Sequence, residues 1–357
     1  MSEVKTTEAQ TAAPAAAKPE TNKLGLKKLD YQGAPSTLCT GCGHDSITTH
    51  IISALYESGI DPYELGKMSG IGCSSKTPAY FSSRSFAFNS VHGRMPAVST
   101  GVKMGNRNLK LLGVSGDGDT ASIGIGTFTH LIRRNLPLVY IIENNGVYGL
   151  TKGQFSATSE RGAKLKSGTV NTHEQIDLCA LAIELGCSFV ARSFSGDPKQ
   201  LVPLIKAAFH HPGTAVIDVI SPCVTFNNHE GSPRSYDMVK QHNVRLQELG
   251  FVEPAEPIQA QYAEGETKEI RMPDGSLLFL KKLDPSSHDV SNKMAALSAL
   301  HETRASGKIL TGMFYINPDS VDFLANQNLP EKPLANLNES DTRPPAEVLA
   351  RMLEPFA

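Results

Sequence analysis

Two short polar tracts, each closing an apolar run, carry the first chemical information in this chain. The run 109–115 ends in Gly116-Asp117-Gly118-Asp119, and the run 138–142 ends in Glu143-Asn144-Asn145. A helix-like segment separates them, so both runs read as parallel strands whose carboxyl ends reach the same edge of one sheet. Ligands of open α/β sheets bind outside that edge. Asp117 offers a hard carboxylate oxygen and Asn145 a carboxamide oxygen, the donors Mg²⁺ takes beside phosphate oxygens and water. Gly116 and Gly118 permit a tight turn and a close approach to a diphosphate, which would sit where Asp119 opens the next helix. A plain βαβ turn explains either tract alone. The pair, at this spacing, points to a cofactor.

Cysteines form the second group. Cys39-Thr-Gly-Cys42 lies in a Gly- and Pro-containing loop, Cys73 in Gly-Ile-Gly-Cys-Ser-Ser, and Cys223 in Ser-Pro-Cys after an apolar run. All four fall at loop or strand-end positions, where metal ligands can converge. Cys179 and Cys187 fall on apolar helix and strand positions, where the thiol is a small core hydrophobe. On spacing alone, a structural zinc and a [4Fe–4S] cluster are equal alternatives for the four loop thiols, with a redox pair at Cys39 and Cys42 as a third.

The elements that must position these residues follow the same alternation. A helix is expected from Asp45, as its cap, to Ser58, a short strand over 67–73, and a helix over 97–107. The cofactor unit comes next, then a polar loop over 146–172, too long for a plain connector and so an expected active-site loop. Helix 176–185, strand 188–192, helix 198–210 and strand 215–220 complete a doubly wound, mostly parallel α/β sheet from about residue 40 to 225. Residues 1–23 read as a disordered leader and 24–228 as the cofactor domain. The stretch 229–357 reads as an irregular extension that wraps the core or a partner, with a hairpin around Pro273-Asp274-Gly275-Ser276 and a helix over 293–303. A formal net charge of -2 gives no electrostatic case for nucleic acid or an anionic membrane surface. No apolar run reaches the roughly 18–20 residues of a membrane span, and six cysteines without a secretion signal suggest the reducing cytoplasm.

The GDG…NN pattern resembles the thiamine diphosphate motif. That cofactor makes a 2-oxoacid electron-rich, so a nearby one-electron acceptor is chemically sensible and tips the thiols toward iron–sulfur. With both groups in view the chain resembles the beta subunits of 2-oxoacid:ferredoxin oxidoreductases, the 2-oxoglutarate type most of all. The resemblance covers roughly residues 30 to 320. It rests on Cys39-Thr-Gly-Cys42-Gly-His44, Gly70-Ile-Gly-Cys73-Ser-Ser-Lys76, His92-Gly-Arg94, Gly116-Asp-Gly-Asp119, Asn144-Asn-Gly-Val-Tyr148-Gly-Leu-Thr151-Lys-Gly-Gln154, Ser221-Pro-Cys223 and Leu310-Thr-Gly312.

The resemblance implies one [4Fe–4S] cluster on Cys39, Cys42, Cys73 and Cys223, and Mg²⁺ on Asp117, Asn145 and the backbone carbonyl of Val147. It places Lys76 and Lys152 near the substrate carboxylate and keto oxygen, Leu150 in a specificity loop and His44 close to the cofactor. His92 and Arg94 fall near the cofactor or a subunit interface. Lysine, a compact point charge, suits both a carboxylate and a developing oxyanion. Only one α/β unit of adequate length is legible, so the aminopyrimidine-binding domain is expected on a separate alpha subunit. No ferredoxin-type cysteine run occurs, so electrons are expected to leave directly to an external ferredoxin, with coenzyme A as co-substrate. Pyruvate or a broad 2-oxoacid range is the alternative substrate. A zinc-stabilised non-redox thiamine enzyme and a non-catalytic binding subunit are the alternatives of another class.

Overall fold

The structure is a computed structural model that describes residues 21–151, 153–164, 168–221, 223–224, 258–271 and 277–356. In chain order it runs α1 (Gly43–Ser58), β1 (Leu65–Ser69), β2 (Phe86–Asn89), α2 (Met95–Gly105), β3 (Lys110–Gly116), α3 (Ile125–Arg134) and β4 (Leu138–Asn144). The short pair β5 (Val147–Tyr148) and β6 (Gln154–Phe155) follows, then α4 (Leu178–Glu184), β7 (Phe189–Phe194), α5 (Pro198–His210) and β8 (Thr214–Ile220). The C-terminal part adds β9 (Thr267–Arg271), β10 (Leu277–Lys282), α6 (Lys293–Ala305) and β11 (Ile309–Ile316). Three short helices close it: α7 (Phe323–Asn326), α8 (Glu339–Thr342) and α9 (Ala346–Leu353).

One nine-stranded sheet runs β2-β1-β3-β4-β8-β7-β11-β10-β9. From β2 to β7 every neighbouring pair is parallel. All seven residues of β4 and of β8 are buried, as continuous apolar runs in a sheet covered on both faces should be. One apolar layer packs α2, α3, α4 and α6 on one face, and another packs α1 and α5 on the other. The chain steps outward from β1 to β2 and returns on the other side of β1 with β3. The strand order therefore reverses between β1 and β3, where a crevice opens at the carboxyl ends.

The structure departs from the sequence reading in several places. Helix α1 starts at Gly43 rather than Asp45, with Cys42 at the cap; Asp45 lies in the first turn and accepts from Ser36 Oγ at 2.5 Å. A π-helical turn, Asp119–Ile123, precedes α3. It keeps the backbone wide where Gly93, at φ +65°, presses against it: a Cβ there would lie 2.7 Å from Gly124 N and Cα. The sheet does not stop near residue 225. β11 pairs antiparallel with β7 and parallel with β10, and β10 pairs antiparallel with β9, so the extension is only partly irregular. β9 and β10 are arms of the expected hairpin, whose turn at 273–276 lies outside the described residues, as does most of the expected leader. Asn22 is anchored, donating to Tyr31 Oη at 2.8 Å.

Candidate thiamine diphosphate site

Residues Gly116 of β3 and Glu143 of β4 lie opposite each other in the parallel register, so the two strands finish level. Asp117 and Asn145, one and two residues further on, are buried together, and Asn145 N–H donates to Asp117 Oδ1 at 3.2 Å. They line a cleft of about 350 Å³ with Gly116, Gly118, Val147 and Tyr148. Segment 71–74, which leaves β1, supplies the opposite wall. The cleft thus lies at the reversal point of the sheet.

Asp117 is held by groups the sequence did not signal. Its Oδ2 accepts from Thr158 Oγ1 at 2.6 Å and from Ser156 Oγ. Burial raises its pKa from the ordinary carboxylate value, opposed by those hydroxyls and by the Asn145 N–H. Ser156 and Thr158 sit in the loop after β6, and only a folded chain shows that this loop returns to Asp117. Asp119 plays a different part: its carboxylate accepts from Gly93 N–H and Ser115 Oγ, both at 2.8 Å, and so ties the π-turn to the His92–Arg94 loop. Gly118 has an ordinary helical φ of -66° rather than a strained turn. What it requires is space, since a Cβ would meet the Tyr148 ring at 2.5 Å, while Tyr148 Oη donates to Gly118 O at 3.0 Å.

His44 lines the cleft from the first turn of α1. Its Nδ1 lies 3.2 Å from Glu143 Oε2, without hydrogen-bond geometry, and its Nε2 lies 3.5 Å from Asn145 Nδ2. Burial lowers His44 to about 4 and raises Glu143 well above its usual value. Burial thus disfavours charge on both partners of this contact. Thr77 Oγ1 donates to the same carboxyl at 3.0 Å. Glu143 is a cleft residue that sequence reasoning passed over, because a strand-end acid ordinarily points to water.

Leu150, 53% exposed, stands at the rim of the cleft, and exposed His92 at its mouth. Arg94 is exposed at the N-terminus of α2, outside the cleft wall. Lys76 is half-buried on the 3₁₀ turn Ser74–Ala79, and its positive charge favours the thiolate of Cys73. Lys152 lies outside the described residues.

The four loop cysteines share one neighbourhood beside the cleft. Cys42 is buried, Cys73 and Cys223 are half-buried and Cys39 is exposed. Burial pushes the Cys73 thiol up to about 11, and negative charge on Cys223 and Cys39 would push it the same way. Burial raises Cys42 too, with Cys223 again adding to it. Among the described residues no three metal-binding side chains close on a common point. The donor set nonetheless fits a cationic cluster, which would relieve the repulsion that these thiolates would exert on one another. Cys179 and Cys187 are fully buried core thiols, as their apolar positions indicated.

The family model for the thiamine pyrophosphate enzyme C-terminal TPP-binding domain matches residues 70–219. The chain is 37% identical over 217 residues to the 2-oxoglutarate synthase subunit KorB of Methanocaldococcus jannaschii, covering 60% of this chain and 80% of that one. It belongs to the family of 2-oxoacid:ferredoxin oxidoreductase beta subunits. Another family member, the beta subunit of 2-oxoacid:ferredoxin oxidoreductase 1 of Aeropyrum pernix, is 45% identical over 194 residues, 54% of this chain. That match spans only 60% of the Aeropyrum subunit's length. Among solved structures, the 2-oxoglutarate:ferredoxin oxidoreductase from Magnetococcus marinus with 2-oxoglutarate, coenzyme A and succinyl-CoA bound aligns with a TM-score of 0.68 at 28% identity, over 91% of this chain and 96% of that one. No helix among the described residues is long and apolar enough to cross a membrane.

Proposed function

We propose that this chain is the diphosphate-side subunit of a 2-oxoglutarate:ferredoxin oxidoreductase, catalysing the CoA-dependent oxidative decarboxylation of the 2-oxoacid or its reverse. The observation that carries the reading is the burial of Asp117 and Asn145 side by side at the reversal point of the sheet. Oxygens of Asp117, Asn145 and the Val147 carbonyl would hold Mg²⁺ and, through it, the diphosphate. When bound, thiamine diphosphate supplies the nucleophilic carbon and the electron sink that decarboxylation needs.

The chain's own residues do the rest. His44, which burial holds in its neutral form, presents one N–H donor and one acceptor nitrogen to the cleft without adding charge beside the metal. Tyr148, fixed on Gly118, closes the wall and keeps water from the diphosphate side. Lys76 and Lys152 are assigned to the substrate carboxylate and keto oxygen, and Leu150 at the rim to substrate selection. Cys39, Cys42, Cys73 and Cys223 would hold one [4Fe–4S] cluster and pass electrons singly to ferredoxin. An alpha subunit, bringing the aminopyrimidine side, would cover the cleft, whose edge carries the exposed apolar side chains Ile123 and Leu150. The names of the relatives and the ligands of the Magnetococcus enzyme support 2-oxoglutarate as the substrate.

Iron, sulfide and thiamine contents of three variants test the assignment. Asp117→Ala should lose thiamine diphosphate and stay brown. Cys73→Ser should lose iron and keep the cofactor. Cys187→Ser, altered in the core, should keep both. Iron absent from wild type would end the redox reading, and cluster loss in Cys187→Ser but not in Cys73→Ser would overturn the ligand assignment.

A further inference from the structure

Behind the cleft lies a charged group that the proposed reaction does not use. Arg192 of β7 is buried between Asp218 of β8, which accepts from its Nε at 2.8 Å, and Asp177, which accepts from Nη2 at 2.7 Å. Asp177 also caps α4 through the Cys179 and Ala180 N–H groups. Three charges with so little exposure are costly, and an apolar packing of similar volume is often at least as stable. Stability alone is therefore a weak reason for their presence.

Hydrogen-bond polarity supplies another. Asp218 Oδ1 accepts from Asn144 Nδ2 at 3.0 Å. A carboxylate only accepts, so this bond fixes which end of the Asn144 carboxamide faces β8. The other end, Oδ1, then lies 3.2 Å from Thr158 Oγ1. The Thr158 hydroxyl has a single proton, and its nearer acceptor is Asp117 Oδ2 at 2.6 Å. Asn144 Oδ1 and Asp117 Oδ2 therefore compete for that proton, and reversing Asn144 would put an N–H donor on Thr158 Oγ1, remove the competing acceptor and shift the proton wholly to Asp117.

We propose that Asp218 is a positioning residue for the metal–diphosphate site, acting through Asn144 and Thr158 to aim the Asp117 carboxylate, with Arg192 and Asp177 holding Asp218 in place. This rests on the reading that Asp117 holds Mg²⁺. Partners behind a ligand that orient it commonly govern metal affinity by about 10- to 100-fold.

The test is thiamine diphosphate binding by calorimetry at saturating Mg²⁺, on the full chain co-expressed with its alpha subunit, beside the melting temperature of the metal-free protein. Thr158→Val should weaken binding about 10- to 100-fold, and Thr158→Ser, which restores the hydroxyl, should bind like wild type. Asp218→Asn, which frees Asn144 to reverse, should change binding several-fold. Its effect should vanish in the Thr158→Val background, because residues on one path are not additive. Effects that multiply in the double variant would overturn the proposal. So would an Asp218→Asn protein that melts lower yet binds like wild type, since that is the outcome of a purely structural cross-link. If Asp218→Asn does not fold, Asn144→Leu breaks the same path one link later and carries the same double-variant test. Wild-type binding by Asp117→Ala would remove the underlying metal reading; loss of binding there, with Thr158→Val and Asp218→Asn unaffected, would remove only this inference.

Discussion

Replacing Asp117 by asparagine should separate binding from stability in opposite directions. The side chain is 1% exposed, and its carboxylate takes two hydroxyls on Oδ2 and the Asn145 N–H on Oδ1. Asparagine can keep the hydroxyls on its oxygen, but its amide then faces the Asn145 N–H, a loss of about 1 kcal/mol. Charged acceptors bind hydroxyls more strongly than neutral ones, so the two remaining bonds weaken by about 2 kcal/mol in total. Against this, withdrawing a buried charge returns several kcal/mol. That burial raises the Asp117 pKa despite three donors shows which side prevails. The metal-free variant should gain about 1 kcal/mol, or roughly 1–2 °C in melting temperature for a chain of this length.

Ligand has the reverse effect. At a hundredfold excess over Kd, Mg²⁺ and thiamine diphosphate should stabilise the wild type by about 2.7 kcal/mol, and Asp117→Asn should lose that gain. Differential scanning calorimetry with and without ligand gives both numbers. A metal-free variant that melts below wild type, or one that ligand stabilises as it does the wild type, would refute the reasoning.

Two further outcomes are expected. Lys67 Nζ donates to the carbonyls of Pro78, Phe81 and Ser82 at 2.7–2.8 Å, and burial lowers it from 10.5 to about 8. The folded form thus releases its proton before the unfolded one. Wild type should gain stability over Lys67→Met as the pH rises from about 8 to 10.5, and parallel stability curves across that window would count against it. Lys152→Ala should lower kcat/KM for 2-oxoglutarate by one to three orders of magnitude, roughly 1.4–4 kcal/mol, with cofactor content unchanged; near wild-type kinetics would return Lys152 to an ordinary surface role.

What the sequence revealed and what it hid have physical reasons. Asp117 and Asn145 were legible because each ends an apolar run, and parallel strands must deliver their carboxyl ends to one edge. Cys179 and Cys187 were legible as core for the same periodic reason. Ser156, Thr158 and Glu143 were not. A hydroxyl that crosses 39 or 41 residues to reach Asp117 leaves no local pattern, and a buried strand-end glutamate looks like a solvated one. β2 was missed because it is four residues long and exposed throughout, without the alternation that marks a half-buried strand. β11 was missed because it lies beyond the point where the sheet was expected to end and finds its partner β7 far back in the chain.

That distant partnership affects how the protein is made. β7 is buried on both faces and rich in apolar residues, yet on one side its backbone pairs only with β11. The ribosome finishes β7 at Phe194 and does not begin β11 until Ile309, more than a hundred residues later. At about 5–20 residues per second, the edge of Phe189–Phe194 stays open for roughly 5–20 s of synthesis. An unpaired apolar edge is a template for the wrong strand from another nascent chain. Yield of the folded subunit should therefore depend on translation speed and on holdase chaperones, and truncations that remove β11 should aggregate instead of leaving a smaller working domain.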